Sequence, residues 1–167
     1  MKKNTLFSLV DKAIFDFGIL ESGDKILIAA SGGKDSTVLA HYLGQRQKQK
    51  REDFSLEALH IGTDISPNLS QEIEALYQSW NIPLHIKTIS VLDRVQEKKK
   101  MNCWWCSTQR RTELNNFALE NGFNKIALGH HLDDVLETLL MNAINKAELS
   151  TMIPKLLYRK YPITIIR

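Results

Sequence analysis

The segment Lys25-Ile26-Leu27-Ile28-Ala29-Ala30-Ser31-Gly32-Gly33-Lys34-Asp35-Ser36 decides the fold. Its first half, Lys25 to Ala30, is an apolar run bounded by Gly23 and Gly32. That is the pattern of a strand buried on both faces, and such strands belong to parallel sheets. Its second half joins this strand to a helix expected over Ser36 to Gln49. At such a junction, free backbone N–H groups and the positive end of the helix dipole favour a bound phosphate. Gly32 and Gly33 let the backbone approach closely, the hydroxyls of Ser31 and Ser36 can donate, and Lys34 can neutralise phosphate oxygens. Asp35 suits a magnesium ion or the orientation of the loop. The second glycine lies too near the lysine for the G-x-x-x-x-G-K-[ST] spacing, which argues against a kinase or GTPase. A plain glycine turn is the bland alternative, and the placement and completeness of the hexapeptide weigh against it.

Outward from this junction, strand and helix patterns alternate. An amphipathic helix is expected over Thr5 to Phe17, and a second strand over Ser55 to Ile61. Pro67 pre-sets the first turn of a helix running to about Trp80, followed by a strand over Leu84 to Ile89. Val91 to Asn102 lacks periodicity and reads as a loop or frayed helix. Ser107 to Glu120 is a helix closed by Asn121-Gly122; Asn124 to Leu128 is a short strand, Leu132 to about Ile144 a helix, and Pro162 to Ile166 a last strand. This alternation predicts a single α/β domain over residues 1–167: doubly wound, with a mostly parallel sheet, helices on both faces and right-handed crossovers.

The 167 residues are 43% apolar, which suits one packed core, and no run approaches the ~20 apolar residues of a membrane helix. We therefore expect no membrane span and no signal peptide. Two cysteines, Cys103 and Cys106, cannot form the framework that staples secreted domains, so a cytoplasmic setting is expected. Their Cys-x-x-Cys spacing fits a dithiol redox pair, half of a zinc site or part of an iron–sulfur cluster, and spacing alone does not separate these. The net charge of +3 is small, but Arg94, Lys98, Lys99, Lys100, Arg110 and Arg111 flank the pair as a basic patch. A solvated face accounts for such charges when they stand alone; Trp104 and Trp105 beside them add an RNA-stacking alternative to a core or interface role.

Three further segments join SGGKDS in carrying a resemblance: KAIFDFGILESGDKILIAA before it, Cys103-Trp104-Trp105-Cys106 followed by Arg110-Arg111, and ALGHHLDDVLETLLMN from Ala127 to Asn142. The hexapeptide resembles the signature of the PP-loop ATP pyrophosphatases, which cleave ATP between the alpha and beta phosphates. The combination resembles the tRNA 2-thiocytidine synthetase family and its 2-thiouridine relatives. What the resemblance implies is ATP-dependent tRNA 2-thiolation: adenylation of a pyrimidine carbonyl, most simply of a cytidine, and then sulfur transfer. It implies a site at the carboxyl edge of the sheet. Ser31 to Ser36 would hold pyrophosphate, with Lys34 and Asp35 catalytic. Gly129, His130 and Asp133 would lie against the nucleotide, Asp134 or Asp35 near magnesium, and Gly62 beside the adenosine.

By the same resemblance, Cys103 and Cys106 are catalytic and ligate a 4Fe-4S cluster. A third cysteine ligand of the family has no counterpart here, so a carboxyl-terminal segment, a second subunit or cluster-free dithiol chemistry all remain open. The implied partners are tRNA and a sulfur donor, either a cysteine desulfurase system or sulfide, with a homodimer as one means of completion. Other PP-loop enzymes that activate sulfate or form amides share the hexapeptide, and a degenerate nucleotide-binding module is the alternative from another class.

Overall fold

The computed structural model describes residues 6–66, 68–94, 102–158 and 160–167. Among these, the chain runs α1 (Leu6–Asp16), β1 (Lys25–Ala29), α2 (Lys34–Lys48), β2 (Ser55–Thr63), α3 (Gln71–Ser79), β3 (Leu84–Ile89), α4 (Cys103–Glu120), β4 (Lys125–Ala127), α5 (Leu132–Lys146), β5 (Lys155–Leu157) and β6 (Thr164–Ile166). The six strands form one sheet in the order β3-β2-β1-β4-β6-β5. All neighbours are parallel except β5, which runs antiparallel to β6.

The apolar run of β1 explains why it sits in the middle. Ile26, Leu27 and Ile28 are all 0% exposed, so both faces of the strand are covered. Ile26 and Ile28, with Leu56 and Ala58 of β2, pack against Ile14, Leu43 and Tyr77 from α1, α2 and α3. Leu27, with Leu59, Ile61 and Ile126, packs on the other face against Leu114 and Ala118 of α4. Fully burying one such side chain contributes about 1.5–3 kcal/mol, so the two layers fix β1 between them. The doubly wound, mostly parallel sheet expected from the sequence is what these pairings form.

Several boundaries differ, each for a local reason. α2 begins at Lys34 rather than Ser36, with Gly33 at its N-cap, so Lys34 and Asp35 lie in the first helical turn. β2 runs to Thr63, and Gly62 is a strand residue paired with Thr88 of β3 rather than a tight turn. α3 starts after Ser70, whose side chain accepts from the Ile73 N–H; Pro67, expected to open that helix, lies outside the described residues. α4 starts at Cys103 instead of Ser107, because the Asn102 side chain caps it by accepting the Trp105 N–H at 2.8 Å. β5 had no expectation from the sequence: three residues, none of them buried, leave little hydrophobic signature. The lysine run Lys98, Lys99 and Lys100 lies outside the described residues.

Parallel strands leave their following connections on one edge. The β1–α2, β3–α4 and β4–α5 connections therefore all open at the carboxyl edge of the sheet. The chain winds from β1 outward to β2 and β3, then returns to place β4 on the other side of β1. That reversal makes a crevice between β1 and β4.

Candidate active site

The Ser31–Ser36 segment forms a tight loop at the end of β1. Gly32 takes φ +84°, a left-handed conformation that a side chain resists, and its missing Cβ leaves room for Leu69 at 3.2 Å. The Ser31 and Ser36 hydroxyls lie 2.9 Å apart, Ser31 Oγ accepts the Gly33 N–H at 3.2 Å, and Ser36 Oγ donates to the Gly33 carbonyl at 3.0 Å. Thr37 closes the turn by donating both its N–H and its hydroxyl to the same carbonyl. These bonds hold the loop in a set shape while the first-turn N–H groups of α2, which have no intrahelical acceptors, face the crevice end.

Lys34 is 81% exposed in its side chain and reaches back to both oxygens of Asp35 at 2.9 Å. That hydrogen bond, then the charges of Asp35, Asp134 and Asp133, hold the ammonium above its ordinary value. The lysine is thus a charged group free to swing onto a phosphate. Asp35 Oδ2 also lies 3.9 Å from His131 Nε2, which begins the second segment of the site.

That second segment, Gly129 to Asp134, leaves β4 and opens α5. A Cβ placed on Gly129 would lie 2.7 Å from the Ser36 backbone nitrogen and 2.9 Å from Asp35 C and Ser36 Cα. Only glycine permits this backbone-to-backbone contact, which brings the two sequence-distant motifs together. His131 is the N-cap of α5: its ring accepts the Asp133 N–H at 3.3 Å, while Asp134 accepts the His131 N–H at 2.7 Å. This bond, then the charges of the nearby histidines and Lys34, set the Asp134 carboxyl below its ordinary value, with burial opposing them. Asp134 is thereby a capping group as well as a candidate ligand, and Asp133 projects into solvent with an 80% exposed side chain. His130 is exposed on the surface.

Asp35 borders an apolar groove at the same end of the domain. A cavity of about 570 Å³ lies between α1, α2 and the start of α5, with Asp35, His130, His131 and Arg167 at its polar end. Carboxylates here do not converge as a dedicated cage: among the described residues no group of three or more His, Cys, Asp or Glu side chains could hold a metal ion. A magnesium ion taking one carboxylate together with phosphate oxygens and waters is compatible with that arrangement.

Cys103 and Cys106 occupy the first turn of α4, at the carboxyl edge with the other two segments. Cys103 is exposed and Cys106 half-buried against the α4 side of the sheet. Trp104 is 71% exposed, whereas the Trp105 indole N–H is buried and without a partner. The pair therefore divides into a projecting ring and an anchor. Two thiols do not complete a 4Fe-4S ligand set, and no residue of this chain supplies a third thiolate.

Other expected residues are placed differently. Arg94 is held by Glu113 Oε1 at 2.7 Å, so it is a neutralised strut rather than part of a free basic patch, while Arg110 and Arg111 form no ion pair among the described residues. Asp64 accepts from Ser90 Oγ at 2.7 Å and from the Val91 and Leu92 N–H groups. It ties the end of β2 to the loop that leads to the cysteines, a role the sequence did not reveal. Gly62 faces Thr88 Oγ1 and His60 rather than open crevice. His60 was also missed: it is 4% exposed, and its Nδ1 bonds the Ala30 carbonyl at 2.7 Å, fixing the residue that precedes the loop.

Comparison with known proteins agrees with this arrangement. A family model described as a PP-loop domain matches residues 5–167. A tRNA-cytidine(32) 2-sulfurtransferase of Stenotrophomonas maltophilia strain K279a is 42% identical over 151 residues, covering 88% of this chain and 49% of that protein. The enzyme of the same name from Anaeromyxobacter sp. strain K is 39% identical over 159 residues, covering 93% and 55% respectively. The chain thus spans about half the length of the curated relatives it matches. Among solved structures, the U34-tRNA thiolase NcsA from Methanococcus maripaludis with its [4Fe-4S] cluster superposes with a TM-score of 0.65 at 30% identity, over 77% of this chain and 45% of that one. With its glycine-built phosphate loop set against the β4–α5 segment, the chain belongs to the PP-loop family.

Proposed function

We propose that this domain carries out the ATP-dependent step of tRNA 2-thiolation, activating a pyrimidine carbonyl, in the simplest reading that of a cytidine, by attaching AMP. The observation that carries the reading is the contact of Gly129 with the first turn of α2. It sets Gly129 against the Ser31–Ser36 loop, and His131 Nε2 lies 3.9 Å from Asp35 Oδ2 in the same crevice. The relatives' names, tRNA-cytidine(32) 2-sulfurtransferase, and the thiolase among solved structures support the choice of RNA base and reaction.

In this reading the backbone N–H groups of Gly32 to Ser36 and the hydroxyls of Ser31 and Ser36 hold the beta and gamma phosphates. The base oxygen attacks the alpha phosphate; the bond from alpha phosphorus to the bridging oxygen breaks and pyrophosphate leaves. Lys34 turns from Asp35 onto the developing negative charge, and Asp35, with Asp134 as the other candidate, would hold a magnesium ion that would neutralise phosphate charge. Hydrosulfide or an equivalent sulfur, delivered at the Cys103–Cys106 end of the crevice, then displaces AMP and leaves a thiocarbonyl. No step is routed through an iron–sulfur cluster, because this chain holds only two of its ligands. A carboxyl-terminal segment or a second copy of the chain is the proposed source of the rest. The domain so read works in the cytoplasm, takes sulfur from sulfide or a desulfurase system, and stacks an RNA base on Trp104.

The test is AMP formation from ATP by anaerobically prepared protein, with and without tRNA. Lys34→Ala is expected to lower the rate about 100- to 1000-fold. Since Lys34 is 81% exposed, it should leave the unfolding midpoint unchanged. AMP formation that ignores both tRNA and Lys34 would overturn the reading, and ATP binding without turnover would favour a nucleotide-sensing module.

A further inference from the structure

Ala30 is the last buried residue before the phosphate loop, and Ser31, the next, is exposed. The chain leaves the sheet between them. The Ala30 N–H still donates to the Leu59 carbonyl of β2 at 2.9 Å, but the Ala30 carbonyl is held by a side chain, with His60 Nδ1 at 2.7 Å. A carbonyl oxygen only accepts, so Nδ1 carries the proton and donates it. In the neutral ring Nε2 is then an acceptor, and it is buried with no partner among the described residues.

Packing alone does not call for this ring. His60 is 4% exposed, and strand alternation puts it on the face of β2 that carries Leu56 and Ala58 into the apolar layer. A leucine there would fill the layer without leaving a buried nitrogen unpaired, which is costly. What the histidine adds is a donor aimed at one atom at the entry to the loop. A peptide unit is planar and trans, so a carbonyl pinned on one side fixes the following N–H on the other. Holding the Ala30 oxygen therefore sets the direction of the Ser31 N–H and the course on which the chain enters Gly32 and Gly33. Elsewhere the loop is braced by Gly129 against Ser36 and by Leu69 beside Gly32; His60 is the brace at its near end.

We infer that His60 is a positioning residue of the phosphate loop: its Nδ1–H, acting through the Ala30 carbonyl, aims the backbone donors of Ser31–Ser36 at bound pyrophosphate without touching it. Phosphate on the Ser31 N–H polarises the shared peptide, which strengthens the bond at its carbonyl, so ring and ligand reinforce one another. The inference deepens the proposed function and rests on it for the identity of the ligand. The ring's role is testable with inorganic pyrophosphate alone.

Pyrophosphate affinity is measured well below the unfolding midpoint in the parent protein and two variants. Asparagine carries its amide nitrogen at the branch point that Nδ1 occupies, so His60→Asn keeps the donor, whereas His60→Leu fills the layer and loses it. His60→Leu is expected to weaken pyrophosphate about tenfold and His60→Asn less than about threefold, a difference of one hydrogen bond. The KM for ATP in AMP formation should rise in the same order. A role in packing alone predicts the opposite ranking, because leucine suits an apolar layer better than asparagine does. Parental affinity in His60→Leu, or a loss in His60→Asn as large as in His60→Leu, overturns the inference. The parent protein supplies a check that needs no variant: the nitrogen-15 resonance of His60 Nδ1 should be that of a protonated ring nitrogen at neutral pH and should shift saturably with pyrophosphate. A resonance that stays put while pyrophosphate binds also overturns it. If the variants rank as expected but no tRNA-dependent AMP forms, the proposed function fails and the role of His60 stands. If His60→Leu forms AMP with tRNA at the parental KM, that function survives and the inference does not.

Discussion

Gly129 shows how much of the site depends on one missing carbon. Its neighbours on the α2 side are backbone atoms, at 2.7 to 2.9 Å from where a Cβ would stand, and backbone cannot rotate away as a side chain can. Gly129→Ala must therefore push the β4–α5 segment and the phosphate loop apart. Overpacking of this kind costs about 1–3 kcal/mol of stability. A displacement near 1 Å of reacting groups costs on the order of 100-fold in rate. The expected variant is folded, modestly destabilised in urea and strongly impaired in AMP formation. Full activity in Gly129→Ala would mean that the two segments do not act together. Gly122, by contrast, has nothing within 4 Å of its Cβ position and only a positive φ of +71° to accommodate, just past the Asn121 cap of α4.

At the scale of elements, α4 has two jobs, and different residues serve each. Its first turn presents the cysteines, and Asn102 decides where that turn begins. Asn102→Ala removes the acceptor for the Trp105 N–H and is expected to cost about 1 kcal/mol while fraying the turn that carries both thiols. Faster alkylation of Cys106, half-buried in the parent protein, is the readout; unchanged reactivity would argue that packing rather than the cap holds the turn. Further along, Glu113 docks the helix to the sheet through Lys87 Nζ at 2.7 Å and Arg94 at 2.7 Å. The hydrogen bond from Lys87, then that from Arg94, hold its carboxyl below the ordinary value of 4.5. A depressed carboxylate contributes stability above its unfolded value and loses it as pH falls through the lower, folded one. Glu113→Gln should accordingly lower stability by about 1–3 kcal/mol at neutral pH. The gap to the parent protein should close as pH is taken below 4.5. Denaturant midpoints at the two pH values check both halves, and a gap that persists in acid would show that shape, not charge, is what Glu113 provides.

Across the whole molecule, what could be read in the sequence is what leaves a contiguous mark. β1 was legible because burial on two faces demands an unbroken apolar run, and the phosphate loop because its donors are adjacent in the chain. The convergence of Gly129 on Ser36, the cap at Asn102 and the strut from Arg94 to Glu113 depend on partners far apart in sequence or on backbone conformation, and β5 is an edge strand with no buried residue. The same holds for the amino edge of the sheet. There Lys125, 4% exposed, donates to Asp24 Oδ2 at 2.7 Å and to the Ile19 carbonyl at 2.9 Å. Asn124 donates to the other oxygen of Asp24 and accepts the Lys25 N–H. This knot joins β1, β4 and the chain entering β1, yet every group of the candidate site lies at the opposite edge. Stability and chemistry are thus separated along the strands. Lys125→Met would leave the Asp24 carboxylate buried without its cation, and removing one partner of such a pair costs about 3–5 kcal/mol. ATP affinity, measured well below the unfolding midpoint, should stay within about twofold of the parent, since no bond at the carboxyl edge is touched. A large fall in affinity with little loss of stability would mean that strain at one edge of the sheet is transmitted to the other, and that the crevice is not held by its own loop and glycine contacts.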